Sequence, residues 1–251
     1  MNKKQEDILI IGNGKNQLKF IKDLKNCGFF TIVIDIRKRK NNYIDKFIRH
    51  SIYNKNIFKI KKELEKLNIK NIIYRSSGPA ILLANNLERF YKIDRINIEL
   101  AKSIYSKIYF QNFLKKNNFS SFNQKKILKL KKLNFKNLKI IKPDSPIKGK
   151  QNIFIKKKFS ISNLKNCKKN SHNNKIIIND VVAGNDINSF FIVNNKKKIY
   201  KLIANFEEIN FIKANTVISN GIVYPSINIQ KKILKNVNII CLNIIKKFKS
   251  Y

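Results

Sequence analysis

A chain of 251 residues is long enough to bury a real core in one or two domains. It carries 54 Lys and Arg against 15 Asp and Glu, a net charge of +39 that would ordinarily point to nucleic acid. The excess is nearly all Lys, alongside abundant Asn and Ile, and these three share AT-rich codons, so base composition explains the bias without a polyanionic partner. Cys27, Cys167 and Cys241 lie far apart with no ligand-like spacing and read as free thiols of a reducing cytosol. The amino-terminal apolar run, Ile8 to Ile11, is too short for a signal peptide, and no later run spans a membrane. The expectation is a soluble, cytoplasmic protein.

Ile8 to Ile11 predicts a buried strand, followed by Gly12-Asn13-Gly14 and a helix from about Asn16 to Asn26 with Leu18, Ile21 and Leu24 on one face. Gly28 stands where a helix stop is expected. Phe30 to Ile34 predicts a second strand with Asp35 at its end, Phe47 to Ile52 a third, Asn56 to Leu67 a helix, and Asn71 to Tyr74 a fourth strand. Ser76-Ser77-Gly78-Pro79 then turns into a helix from Ala80 to about Tyr91. Strands alternating with amphipathic helices imply a parallel sheet with right-handed crossovers, a Rossmann-like arrangement. Gly12-x-Gly14 with Asp35 invites a dinucleotide reading, but Gln17 stands where the third glycine belongs. A tight strand–helix turn is the expectation, and a dinucleotide-dependent enzyme using Gly12, Gly14 and Asp35 the weaker alternative.

Leu100 to Asn118 predicts one helix with Ile104, Ile108, Phe113 and Leu114 on its core face. Leu138 to Lys142 predicts a short strand stopped by Pro143, which cannot donate to a ladder. A basic loop, Asp144 to Lys150, leads to a strand from Gln151 to Ile155, a short helix, and the segment Ile176 to Asp186. Asp186 to Val193 and Lys198 to Ala204 read as paired strands about a turn at Asn194-Asn195. Glu207 and Glu208 follow, and Gly221 to Ser226 precede a final helix from about Asn228 to Lys249, with Ile229, Ile233, Val237, Ile240, Ile244 and Phe248 as its buried stripe. His50 and His172 are isolated. A lysine at a strand end, a basic loop beside it and a Gly followed by an acid suit a nucleotide. The lysine meets phosphates as a point charge, loop N–H groups cradle them, and the acid accepts from ribose hydroxyls.

Ile141-Lys142-Pro143, the loop Lys148-Gly149-Lys150 and the segment Ile178 to Asp186, in this order and spacing, resemble the nucleotide-gripping part of the ATP-grasp superfamily of carboxylate–amine ligases. Ser106-Lys107 is similar to the pair that opens its ATP-grasp module. The resemblance implies an α/β chain: a Rossmann-like pre-ATP-grasp domain over residues 1–98, then an α+β ATP-grasp domain over 99–251, with a lid at about 119–184, lacking its carboxyl-terminal part. It implies that ATP phosphates are held by Lys107, Lys142 and Lys148 and the adenine by Asn179 and the backbone of Asp180 and Val182. Asp186 then takes the ribose. Two departures are visible: Gly149 is the only glycine in the lid loop, and Asn179 replaces an acid whose acceptor role its side-chain carbonyl can keep. Magnesium ligands are implied in the absent carboxyl-terminal part, because no Glu-x-Asn pair of that kind occurs here. The implied activity is ATP-dependent C–N ligation between an unidentified carboxylate and amine, with the isolated chain inactive until a partner chain or second copy complements it. A split half, a remnant and a nucleotide-binding pseudoenzyme all fit this. The alternative from charge alone is a basic protein binding nucleic acid or another polyanion.

Overall fold

The computed structural model describes residues 6–39, 41–74, 78–93, 96–120, 124–147, 153–182, 184–194, 199–213, 216–225 and 229–249. Several sequence expectations fall on other residues: Ser76 and Ser77, Gln151 and Asn152, Ala183, Asn195 and Lys198, and the stretch 226–228 lie outside the described set. The chain divides into two compact units, Met1–Tyr105 and Ser106–Tyr251.

In the first unit, β1 (Asp7–Ile11), β2 (Phe30–Asp35), β3 (Lys46–Arg49) and β4 (Ile69–Tyr74) form a parallel sheet in the order β3-β2-β1-β4. The strands read as unbroken apolar runs because both faces are covered. Leu9, Ile11, Ile32, Ile34 and Ile48 pack with Leu64 of α2 (Lys61–Glu65) and with Leu83 and Leu87 of α3 (Ala80–Phe90). Ile8, Ile10 and Val33 face Ile21 of α1 (Lys15–Asn26) on the other side. Each such side chain, fully buried, contributes roughly 1.5–3 kcal/mol. The helix expected from Asn56 to Leu67 shrinks to a 3-10 turn, Phe58–Ile60, and α2. Its start is lost because Asn54 Oδ1 accepts from Asn56 N and Asn56 Oδ1 from Phe58 N, local bonds that compete with helix. α4 (Ile98–Tyr105) closes this unit.

The single helix expected over residues 100–118 is two helices. Ser106 is extended (φ −132°, ψ 124°) and its Oγ accepts from Tyr109 N, which ends α4 and caps α5 (Lys107–Lys116). The second unit holds β5 (Gln124–Ile127), β6 (Leu133–Pro143), β7 (Phe154–Phe159), β8 (Ile176–Asp180), β9 (Asp186–Asn194), β10 (Ile199–Lys213) and β11 (Thr216–Val223). They form one antiparallel sheet in the order β5-β8-β6-β7-β11-β10-β9. β7 and β11 meet at one registered pair, Phe154 with Thr216. α6 (Ile161–Lys169), capped by Ser160, buries Leu164 and Cys167 against Ile141, Phe159 and Ile176.

α7 (Lys231–Lys249) lies on β9 and β10, and of the expected stripe Ile229, Val237, Ile244 and Phe248 are buried or partly buried. Ile233 and Ile240, expected to be buried, are 47% and 52% exposed, while Leu234, Val237 and Leu242 are partly covered and Phe248 stacks on Phe113 at 3.8 Å between ring centroids. Apolar residues occur on several faces of this helix, so spacing alone admits more than one stripe, and the sheet selects among them.

Candidate functional site

Pro143 ends β6, and the next residue, Asp144, ties that end to the start of α5. Asp144 is fully buried. Its Oδ1 accepts from Ile108 N at 2.7 Å, and its Oδ2 from the Ser106 hydroxyl at 2.8 Å and Asn173 Nδ2 at 2.5 Å. Lys107, the first residue of α5, donates from Nζ to the carbonyls of Pro143 at 3.2 Å and Asp144 at 3.3 Å. Burial pushes the Lys107 ammonium down to about 8, Lys142 pushes it further down, and Asp144 and Cys167 oppose the shift. Lys142 is also held below the ordinary lysine range by burial, with Asp186 pulling the other way. Beneath them, burial drives the Cys167 thiol up to about 12, with Lys107 pulling it down.

Strand register assembles the rest. Ile140 lies opposite Ile155 on β7 and Asn179 on β8, and Lys142 lies opposite Ile177. Side chains alternate across a sheet, so Ile140, Lys142, Ile155, Ile177 and Asn179 share one face, while Ile141 and Ile176 turn to α6. Asn179 is 3% exposed, and its Oδ1 has no hydrogen-bond partner among the described residues. An acceptor left unmade in a buried site costs about 1–3 kcal/mol and marks a place where a donor is wanted.

The segment after β8 leaves the sheet. Asp180 pairs its carboxylate with Lys139 across the strands, and Val182 is 64% exposed. Gly184 takes φ +149°, a region open mainly to glycine, before Asp186 begins β9. Asp186 stands opposite Glu208, and Asn185 Nδ2 donates to Glu207 Oε1 at 2.8 Å. The structure thus brings Lys142 within electrostatic reach of both Lys107 and Asp186 and puts Asn179 on the Lys142 face. Lys148 lies outside the described residues. Sequence reasoning missed Asp144 and Asn173; a carboxylate directly after the Lys-Pro strand end, with Ser106 as a helix cap, was the available signal. Among the described residues no group of three or more His, Cys, Asp or Glu side chains comes together as a metal site.

In the first unit, the Gly12–Gly14 turn is filled from within. Gln17 accepts from Gly14 N at 2.7 Å and donates to Ile11 O at 2.9 Å, and a Cβ at Gly12 would meet Gln17 Nε2 at 2.6 Å. Asp35 accepts from Asn13 N and Arg37 N. The notch and the acid of a dinucleotide site are therefore occupied by the chain itself, as the tight-turn reading expects.

A parallel α/β unit followed by an antiparallel sheet with paired lysines at a strand end and a helix start is the ATP-grasp fold. Among solved structures, the chain is similar to an L-amino acid ligase from Bacillus licheniformis, with TM-score 0.73, 7% identity, and 98% of this chain against 61% of that one. It is similar also to an ADP complex of N5-carboxyaminoimidazole ribonucleotide synthetase, with TM-score 0.70, 13% identity, and 97% of this chain against 63% of that one. A third is the biotin carboxylase domain of Hydrogenobacter thermophilus 2-oxoglutarate carboxylase with MgADP, ADP and bicarbonate, at TM-score 0.65 and 11% identity, covering 97% and 58%. The chain thus spans about three-fifths of the length of these proteins. No protein-family model matches the sequence. No curated protein matches it by sequence. Among the described residues no helix is long and apolar enough to cross a membrane.

Proposed function

We propose that the second unit binds ATP and that the chain serves ligation of a carboxylate to an amine. The observation that carries this reading is the pair of half-buried lysines, Lys107 and Lys142, neither of which has an ion-pair partner among the described residues. Two desolvated ammonium groups repelling each other are stabilised by an anion shared between them, and a polyphosphate is such an anion. The unpaired Asn179 Oδ1 suits the exocyclic amino group of adenine.

In this reading Lys107, Lys142 and Lys148 hold the phosphates. Asn179 and the backbone of Asp180 and Val182 hold the base, and Asp186 takes the ribose. Ile140, Ile155 and Ile177 form a dry floor beside them. Bound ATP supplies the phosphoryl group that converts a substrate carboxylate into an acyl phosphate open to an amine. Among the described residues no three His, Cys, Asp or Glu side chains come together to hold magnesium, so in this reading its ligands are other than such a cluster. A calorimetric titration with ATP, with and without magnesium, tests this: micromolar binding, about −8 kcal/mol, is expected, and Lys142→Ala weakens it at least about tenfold. No saturable binding at millimolar ATP refutes it. Binding that falls steeply with salt and does not distinguish ATP from inorganic polyphosphate would instead favour a polyanion-binding protein.

A further inference from the structure

Asp144 is a fully buried carboxylate, yet every donor to it is neutral: a backbone N–H, a hydroxyl and an amide. No salt bridge reaches it among the described residues. A neutral Asn can cap a helix about as well, so capping α5 does not by itself explain a buried negative charge. The cation nearest in the network is Lys107, whose Nζ binds the carbonyl of Asp144 itself. Resting on the ATP reading above, we propose that Asp144 is the positioning residue of the phosphate grip: it clamps the first turn of α5 to the end of β6, and its charge keeps the Lys107 ammonium protonated beside Lys142, ready for a phosphate.

The groups acting on Lys107 are few and come from three places. Lys142 on β6 repels its proton, Asp144 after β6 retains it, and Cys167 on α6 retains it weakly; Asp186 on β9 acts on Lys142. Burial and Lys142 push Lys107 down to about 8, and the Asp144 charge is the larger of the two groups that oppose them. The hydrogen bonds and the charge can be separated, because Asn173 donates to Asp144 Oδ2 while its own Oδ1 accepts from Lys175 N. Asp144→Asn with Asn173→Asp reverses the bond between them, turns the Ser106 hydroxyl from donor to acceptor by rotation, leaves Ile108 N its acceptor, and moves the charge off the residue that holds Lys107.

The test is the titration of Lys107, followed by NMR of its ε-carbon in the nucleotide-free protein, together with the pH profile of ATP affinity. In the unaltered protein affinity falls as pH rises through about 8, because the free ammonium is lost. In the Asp144→Asn/Asn173→Asp protein the melting temperature should stay close to that of the unaltered protein. The Lys107 titration and the affinity break should both move at least about 0.5 pH lower, roughly a threefold fall in the ratio of protonated to neutral lysine. An unchanged Lys107 titration in that folded variant overturns the proposal. Absence of ATP binding in the unaltered protein overturns the nucleotide reading instead, and the free-protein titration still decides the role of Asp144. If loss of the Asp144 charge prevents folding, Lys107→Met/Asp144→Asn decides: restored folding supports the coupling, and a chain still unfolded reduces Asp144 to a structural cap and overturns it.

Discussion

Replacing Lys142 with Met should make the nucleotide-free protein more stable and the nucleotide weaker-bound at the same time. Met keeps the unbranched length of the lysine stem and packs into irregular space, so the apolar face with Ile140, Ile155 and Ile177 stays filled. What disappears is an ammonium held below its ordinary range by burial and repelling Lys107. Asp186 loses a counter-charge, but it is exposed and water replaces most of that interaction. Relief of one such conflict is commonly worth about 1 kcal/mol, a rise of about 2–4 °C in melting temperature for a chain of this size. A charge-assisted bond to phosphate contributes about 1.5–3 kcal/mol, so affinity should fall about 10- to 150-fold. Thermal melts of the nucleotide-free proteins and calorimetric titrations with ATP read the two effects separately. Lys107 should also titrate higher in this variant, since its repulsive neighbour is gone. Stability and affinity falling together would mean that Lys142 is a structural lysine. Unchanged affinity would remove it from the site.

Asn179→Leu should stabilise the nucleotide-free protein by about 1–3 kcal/mol, because it deletes a buried unpaired acceptor. It should weaken ATP while leaving inorganic triphosphate unaffected; equal loss for both ligands would refute the base-edge role. Lys107 has a folded value near 8 against 10.5 unfolded, so the unfolded chain binds more protons between these pH values and the Lys107 contribution to stability rises from pH 8 to 10.5. Melting temperatures compared with Lys107→Met across that window should converge as pH rises, the opposite trend to ATP affinity. Leu164→Ala, which opens a cavity under α6, should cost about 2–5 kcal/mol in chemical denaturation; a cost under 1 kcal/mol would show that this core is loosely packed. Asp35→Ala should destabilise the turn that holds Asn13 and Arg37 and leave ATP affinity unchanged, and no nicotinamide cofactor should bind before or after the change.

The parallel unit was legible because its signals are local. Ile8 to Ile11 and Phe30 to Ile34 can be buried on both faces only in a covered sheet, and Gln17 spoils the glycine fingerprint within six residues of the strand it serves. Lys142 was legible for a similar reason, since Pro143 fixes its place at a strand end. Asp144 was not, because its partners Ser106, Ile108 and Asn173 lie 38, 36 and 29 residues away. Nor was the break at Ser106, where the apolar spacing of Ile104, Ile108 and Phe113 runs through a residue whose hydroxyl starts a new helix. β5 carries too little apolar patterning to announce itself, and β11 was taken for the approach to a helix. Their places come from partners, Ile176 to Asn179 for β5 and Glu207 to Lys213 for β11. On α7 the expected stripe is covered at Ile229, Val237, Ile244 and Phe248 but not at Ile233 and Ile240, because periodicity gives a helix a face but not how far round the sheet will cover it.

Among the described residues, β7 and β11 of the seven-stranded sheet share one registered pair, Phe154 with Thr216. A sheet resists shear through hydrogen bonds side by side, and this seam is where the two groups of strands meet. The strands carrying Lys142 and Asn179 stand on one side of that seam and the strand carrying Asp186 on the other, linked through the short run that contains Gly184. A molecule touching both banks acts as a strut. Its grip then has to be read in the stiffness it confers as well as in the contacts it makes, and amides flanking the seam should exchange with solvent far more slowly once it is in place.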